Sequence, residues 1–346
     1  MRENSVAGMK AAIIGFGGMG QRHYQAYRKN RIDVTAICDW DNNKVREVIP
    51  QFPREGIFSR YQDLLEGTDA EIVSVVTNGP THAGITMAAA KAGIANVLCE
   101  KPMATNLGDA TRVIDVCEKA GTRLCVNHIR RWSSNYHRLR DLLRSGIIGE
   151  PRHYYFSCGS TGLGNFAIHF FDTIRFLSGS EPSQAVGFLD RTGTLNPRGS
   201  QFVDPGGYGI ISLENGARFF VDTMEDTGVQ YTFQIVGTFG RILIDELNDE
   251  WRIRARDESA QALPLTRYGT DMGEIPFASD ARFDIVDLTA KAQQELVTGE
   301  AISATDRDGY RSLEMVIALH ASDARGNVPV KFPLAGEDLA RDVPIG

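Results

Sequence analysis

Gly15-Phe16-Gly17-Gly18-Met19-Gly20 is a G-x-G-x-x-G that directly follows the aliphatic run 11–14 and opens a stretch of helical spacing. Glycines in that setting make a tight turn and let the backbone come close to a pyrophosphate, whose charge is met by free amides and the positive end of a helix. Asp39 ends the next apolar run, about 20 residues past Gly20. A carboxylate there accepts hydrogen bonds from a ribose diol and repels a 2′-phosphate, which predicts NAD in preference to NADP. Trp40 beside it reads either as a cover for an adenine ring or as a partly buried surface aromatic.

Two more clusters stand at the ends of apolar runs. Thr77-Asn78-Gly79-Pro80-Thr81-His82 follows the run 72–76, and Glu100-Lys101-Pro102 follows the run 96–99. Open parallel sheets bind ligands outside the carboxyl ends of their strands, so Lys101 is predicted beside the nicotinamide end of the cofactor. A further set, Asn165, His169 and Asp172, is spaced i, i+4 and i+7 in a helical stretch and shares one helix face. One of the three is expected to reach the crevice, and Asp172 reads as a structural residue that caps or pairs within its domain. His153, Cys158, His169 and Asp172 lack any metal-ligand spacing, so no metal is predicted. A G-x-S-x-G elbow and a P-loop lysine are both missing, which excludes the corresponding hydrolase and kinase readings.

These residues need elements to hold them. Runs 11–14, 34–38, 72–76, 96–99 and 123–126, most of them apolar on both faces, alternate with helical stretches at 20–29, 42–49, 61–66, 82–92 and 107–120. That rhythm predicts an α/β fold, a doubly wound parallel sheet covered by helices on two sides. Beyond Asn127 it changes. A helix at 133–144, a strand at 153–158 and a helix at 165–177 lead into runs 217–223, 231–236 and 241–245, which read as an antiparallel meander, and helical spacing returns at 283–297 and 307–324. The second half is therefore predicted to be α+β. The predicted organisation is a leader or disordered segment at 1–8, a dinucleotide-binding domain at 9–127, and a substrate-binding and oligomerisation domain at 128–346.

A length of 346 residues agrees with two domains at about 150 residues each. With 37 Lys+Arg against 44 Asp+Glu the net charge is −7, which offers no basic footprint for nucleic acid. The hydrophobic fraction of 42% excludes disorder as the main state. No apolar stretch is long enough for a membrane span. Five cysteines without a C-x-x-C pair read as reduced core thiols and predict a cytoplasmic setting.

The G-x-G-x-x-G followed by His23, the T-x-x-x-x-H of Thr77 and His82, residues 89–93 and Glu100-Lys101-Pro102 together resemble the Gfo/Idh/MocA oxidoreductases. Arg131-Trp132 through Tyr136 and segments 146–151 and 308–334 extend the resemblance over most of the chain. It implies an N-terminal Rossmann domain, a C-terminal domain on a large, mostly antiparallel open sheet, and a nicotinamide-dependent dehydrogenase acting on CH–OH groups. Cofactor contacts are implied for Gly15, Phe16, Gly17, Gly18, Met19, Gly20, Asp39, Thr77, Asn78, His82, Glu100 and Lys101. Substrate contacts are implied for Lys101, Arg131, Asn165 and His169.

The usual family pattern in the 165–177 helix is D-x-x-x-H, with the histidine as proton acceptor. Asn165 stands where the aspartate is common, which removes a negative charge that would stabilise a His169 imidazolium. Asn165 ahead of His169-Phe170-Phe171-Asp172 is also similar to a branch that oxidises a UDP-linked amino-uronic acid at C3. The resulting expectation is hydride transfer between a carbinol of a sugar, cyclitol or sugar nucleotide and NAD. Lys101, His169 and Asn165 are its catalytic residues, and the alternative is a non-catalytic NAD- or sugar-binding regulator. An open sheet needs its outer face covered, so a homodimer or homotetramer is expected.

Overall fold

The computed structural model describes residues 6–159, 162–191, 203–228, 230–264, 271–299 and 301–345. The chain forms two compact units, and neither is one continuous stretch. The first comprises Met1–Trp132, Asp284–Leu313 and Leu339–Gly346; the second comprises Ser133–Phe283 and Glu314–Asp338. A single cut near Asn127 thus separates the first unit from chain that returns to it after Asp284.

The first unit is built on alternating strands and helices: β1 (Lys10–Ile14), α1 (Gly18–Lys29), β2 (Asp33–Cys38), α2 (Asn42–Val48), β3 (Ile57–Phe58), α3 (Tyr61–Gly67), β4 (Ile72–Val75), α4 (Gly79–Lys91), β5 (Asn96–Cys99), α5 (Leu107–Ala120) and β6 (Arg123–Val126). All strand pairs are parallel, in the order β3-β2-β1-β4-β5-β6 among the described residues. Every residue of β4 and β5 is buried, as apolar strands covered on two faces must be. Local signals set the helix ends. The Asn106 side chain accepts the Asp109 amide at 2.7 Å to start α5, and Gly121 at φ 71° ends it. Such a cap is worth about 1 kcal/mol.

Met1–Ser5 lie outside the described residues, whereas Val6 is buried and the Gly8 amide donates to the Arg31 carbonyl at 3.0 Å. All five cysteines are buried, and burial pushes the Cys38 and Cys99 thiols up to about 12.

The second unit carries α6 (Ser134–Arg144), β7 (Pro151–Ser157), α7 (Ile168–Ser178), β8 (Pro182–Leu189), β9 (Gly207–Leu213), β10 (Arg218–Asp222), β11 (Thr232–Gly237), β12 (Gly240–Asp245), β13 (Glu250–Ala255), α8 (Glu258–Gln261) and β14 (Gly273–Ile275). Next in the chain come α9 (Ile285–Thr298), which belongs to the first unit, α10 (Asp306–Ala324), which spans both, and β15 (Val330–Lys331). The nine described strands form one sheet, β14-β13-β12-β11-β7-β10-β9-β8-β15, antiparallel except for β7 against β10.

Its inner face is aromatic: Phe156 of β7 stacks on Phe170 of α7 at 3.9 Å between ring centroids, with Tyr231 and Phe233 against the same ring. Burying side chains of this size contributes about 1.5–3 kcal/mol each. The outer face is open. Val186, Ile210, Phe220, Tyr155, Gln234 and Leu243 lie side by side in register across six strands, and Tyr208 and Ile210 keep 45% and 43% of their surface in solvent.

The stretch predicted as one α-helix from 165 to 177 departs from that expectation at its start. Residues Leu163–Ala167 form a π-helical turn, and α-geometry begins only at Ile168. The cause is local. Gly162 at φ 69° turns the chain, and the Asp204 carboxylate accepts the amides of Gly164 at 3.0 Å and Asn165 at 2.5 Å. Among the described residues no helix is long and apolar enough to cross a membrane.

Candidate active site

In the first unit β1 has β2 on one side and β4 on the other, so the direction of strand succession reverses there. Crevices open at such switch points, outside the carboxyl ends of the strands. The loops after β1, β4 and β5, with the first turns of α1 and α4, carry the glycine motif, Thr77 to His82, and Glu100 to Pro102.

The glycines divide by role. A Cβ on Gly15, which sits at φ 98°, would lie 2.6 Å from the Val76 carbonyl oxygen, and one on Gly20 would lie 2.1 Å from that of Gly15. These two allow the strand and helix to close. A Cβ on Gly17 or Gly18 would meet nothing within 4 Å, so both border open space at the start of α1. Gly17 is the N-cap of α1 and supplies no side-chain cap. The first amides of a helix lack intrahelical partners, and here the helix begins at glycines that border open space.

Asp39 fastens this loop to the end of β2. Its carboxylate accepts the Phe16 amide at 2.7 Å and the Asp41 amide at 3.0 Å, with Lys44 Nζ at 3.4 Å. Met19 begins the same helix. Trp40 is 82% exposed, with Lys44 Nζ 4.7 Å from its ring centroid, so it is not a partly buried aromatic. On the neighbouring loop, the Thr77 and Thr81 hydroxyls are 2.7 Å apart, and Asn78 is the N-cap of α4, its carbonyl accepting the Thr81 amide.

His82 and Glu100 face inward. His82 Nδ1 is 2.7 Å from the Pro102 carbonyl oxygen and Nε2 is 2.9 Å from that of Thr77, which bridges the loops after β4 and β5. Two acceptors favour a ring protonated on both nitrogens, but burial acts the other way and prevails, lowering the pKa. The Glu100 carboxylate, only 5% exposed as a residue, lies 3.1 Å from His23 Nε2 and accepts the Asn127 side-chain amide at 2.7 Å.

Burial pushes this carboxyl up, yet the His23 hydrogen bond, with the Lys101 charge and the Asn127 hydrogen bond, outweighs it and holds the pKa at about 2. A depressed carboxyl stabilises the fold above its unfolded value of 4.5, and that contribution disappears as the pH falls towards 2. Thermal unfolding across this acid range is expected to show a shallower loss of stability for Glu100→Gln than for wild type. Equal slopes would show that the buried carboxylate contributes nothing.

Arg131 is engaged within the first unit: its guanidinium donates to Asp308 at 2.8 Å and to the Ser303 carbonyl at 2.9 Å. Lys101 follows Glu100 and is partly exposed.

In the second unit Asn165 lies on the π-helical turn and His169 in the first turn of α7, both partly exposed. The His169 ring stands edge-on to Phe166 at 6.1 Å, and its carbonyl accepts the Thr173 hydroxyl at 2.7 Å. Asp172 is fully buried, 3.7 Å from Arg175. The widened turn takes Asn165 off the regular α-helical register of His169 and Asp172. Asp204, which fixes that turn, carries no sequence signal; it lies 39 residues beyond Asn165.

Comparison with known proteins agrees with this architecture. The GFO_IDH_MocA family, described as an oxidoreductase family with an NAD-binding Rossmann fold, matches residues 9–128, and its C-terminal alpha/beta domain matches residues 152–332. D-apiose dehydrogenase of Paraburkholderia graminis is 32% identical over 148 residues, 42% of this chain and 39% of that protein. Myo-inositol 2-dehydrogenase of Thermotoga maritima is 27% identical over 269 residues, 70% of this chain and 76% of that protein. The match to the apiose enzyme thus spans well under two thirds of that relative's length.

Among solved structures, levoglucosan dehydrogenase in complex with NADH and L-sorbose superposes with a TM-score of 0.78 at 20% identity, covering 95% of this chain and all of that one. An Agrobacterium radiobacter oxidoreductase in complex with NAD+, L-tartaric acid and magnesium gives 0.73 at 24%, covering 93% and 98%. These two likenesses concern the fold. With family matches over both parts of the sequence, the chain belongs to the Gfo/Idh/MocA oxidoreductase family.

Proposed function

We propose that the protein is an NAD-dependent dehydrogenase that removes hydride from a carbinol carbon of a cyclitol, sugar or sugar nucleotide. The observation that carries this reading is the open space at Gly17 and Gly18, with Asp39 just past β2 and Lys101 just past β5, all in one unit at the strand-order switch. The amides of Gly17, Gly18 and Met19 would hold the pyrophosphate, and Asp39 would accept the ribose diol. Asp39 favours NAD over NADP, since its carboxylate would meet a 2′-phosphate with like charge. A bound nicotinamide supplies the hydride acceptor.

Lys101 holds the substrate oxygen, and its positive charge stabilises the alkoxide that develops as the hydroxyl proton is lost, before hydride departure converts it to a carbonyl. His169 takes the hydroxyl proton, and Asn165, anchored through its amide by Asp204, orients substrate or imidazole. The dehydrogenases among the relatives, which by name act on apiose and inositol, favour a polyol substrate. Mixing the full chain with NAD and a panel of cyclitols, free sugars and nucleotide sugars tests the reading through reduced-nicotinamide absorbance. NAD binding without reduction by any carbinol would favour the regulator alternative.

The open face of the nine-stranded sheet is proposed to dock a second copy of the chain. Its in-register row of Val186, Ile210, Phe220, Tyr155 and Leu243 is an apolar patch of the kind that marks an interaction surface. Light scattering is expected to give the mass of a dimer or tetramer, and Ile210→Asp is expected to lower it. A single-chain mass for the wild type would sink this assignment.

A further inference from the structure

We infer that His23, Glu100 and Asn127 are positioning residues that direct Lys101 into the crevice, an inference that rests on Lys101 being the group that meets the substrate oxygen. His23 and Asn127 are completely buried and Glu100 almost so. An ionised carboxylate inside a helix-covered sheet is costly unless paired, and apolar side chains of similar size usually fill such a layer at least as well. The arrangement therefore needs a reason other than stability.

A single assignment of protons links these groups, with the Asn127 side-chain oxygen left over. Tyr27 donates to Ser74 at 2.7 Å, Ser74 donates to His23 Nδ1 at 3.0 Å, and His23 Nε2 donates to Glu100 at 3.1 Å, while Asn127 donates to the same carboxylate oxygen at 2.7 Å. The Gln293 side chain, from α9, donates to the His23 carbonyl at 3.1 Å, which ties α1 to the returning segment.

What this network controls is direction. The Glu100 amide donates to the Val75 carbonyl at 2.9 Å, so the β4–β5 ladder continues through residue 100. The Glu100 carboxylate is held in the core by His23 and Asn127, and the chain bends at Lys101, which is partly exposed. His82 fixes the other side by holding the Pro102 carbonyl at 2.7 Å. The residues before and after Lys101 are both tethered, so its main chain cannot rotate without breaking buried hydrogen bonds.

The test reads where Lys101 sits as well as turnover. On the full chain, acetylation of Lys101 by acetic anhydride is followed by peptide mass spectrometry with and without NAD, beside calorimetric NAD affinity and thermal unfolding. NAD is expected to shield Lys101 in wild type. In Glu100→Ala and Asn127→Ala, NAD should still bind but the shielding should be lost, and kcat should fall about a hundred-fold with little change in KM, the size expected for misplacing a reacting group by an ångström.

Glu100→Gln, which keeps an acceptor oxygen, should recover part of both. If Glu100→Ala does not fold, Asn127→Ala, which leaves the carboxylate in place, carries the same readouts. Shielding and kcat unchanged in a folded Asn127→Ala that binds NAD would overturn the inference. Absence of shielding in wild type would instead overturn the role given to Lys101 itself.

Discussion

Lys101→Ala is expected to lower kcat about a thousand-fold, the upper scale of losing a group that stabilises charge on the reacting oxygen, while NAD affinity changes little. The expectation follows from position. Lys101 stands just past the carboxyl end of β5, one residue past a buried carboxylate and one before a tethered carbonyl, so its place is set by contacts of its neighbours that the substitution leaves alone. Removal should therefore spare the fold and the cradle and strike only the step in which negative charge grows on the substrate oxygen. Steady-state kinetics on the substrate found in the panel, with calorimetry of NAD, would check it. Turnover within a few-fold of wild type would remove Lys101 from the chemistry.

Gly17→Ala and Gly20→Ala are expected to fail in opposite ways. A methyl group at Gly17 meets no protein atom within 4 Å, and its φ of −70° suits alanine. The variant should unfold at nearly the wild-type temperature but bind NAD at least about ten-fold more weakly, because the methyl occupies the space a pyrophosphate needs. At Gly20 the added atom would lie 2.1 Å from the Gly15 carbonyl oxygen, which is backbone and cannot swing aside. The loop must shift, and a loss of about 1–3 kcal/mol is expected, the usual range for overpacking. Parallel melting curves and NAD titrations separate the two. Equal NAD affinity in Gly17→Ala and wild type would show that the pyrophosphate does not approach there.

The parallel sheet was legible because strands such as β4 and β5 are apolar on both faces, a pattern that helix-covered strands produce and few other elements share. The glycine motif was legible because a strand and a helix flank it. What local pattern could not carry is contact across long separations. The hydrogen bond from Arg131 to Asp308, 177 residues away, is one such contact. The Glu100-Lys101-Pro102 cluster reads as one crevice feature, whereas Glu100 lies in the core, against a histidine 77 residues earlier.

The helical spacing of 165–177 gave no sign of the π-helical turn, because Asp204 and the left-handed Gly162 impose it from outside the helix. The return of α9 to the first unit follows from long-range bonds such as Asn30 to the Ala290 carbonyl, which no periodicity encodes.

Hydrogen exchange of the intact chain with and without NAD, read peptide by peptide, bears most directly on where the dinucleotide sits. Slower exchange in the loops after β1, β4 and β5, centred on Gly17, Asn78 and Lys101, is the expected outcome. Protection confined to other segments, or none at saturating NAD, would contradict the assignment of this crevice.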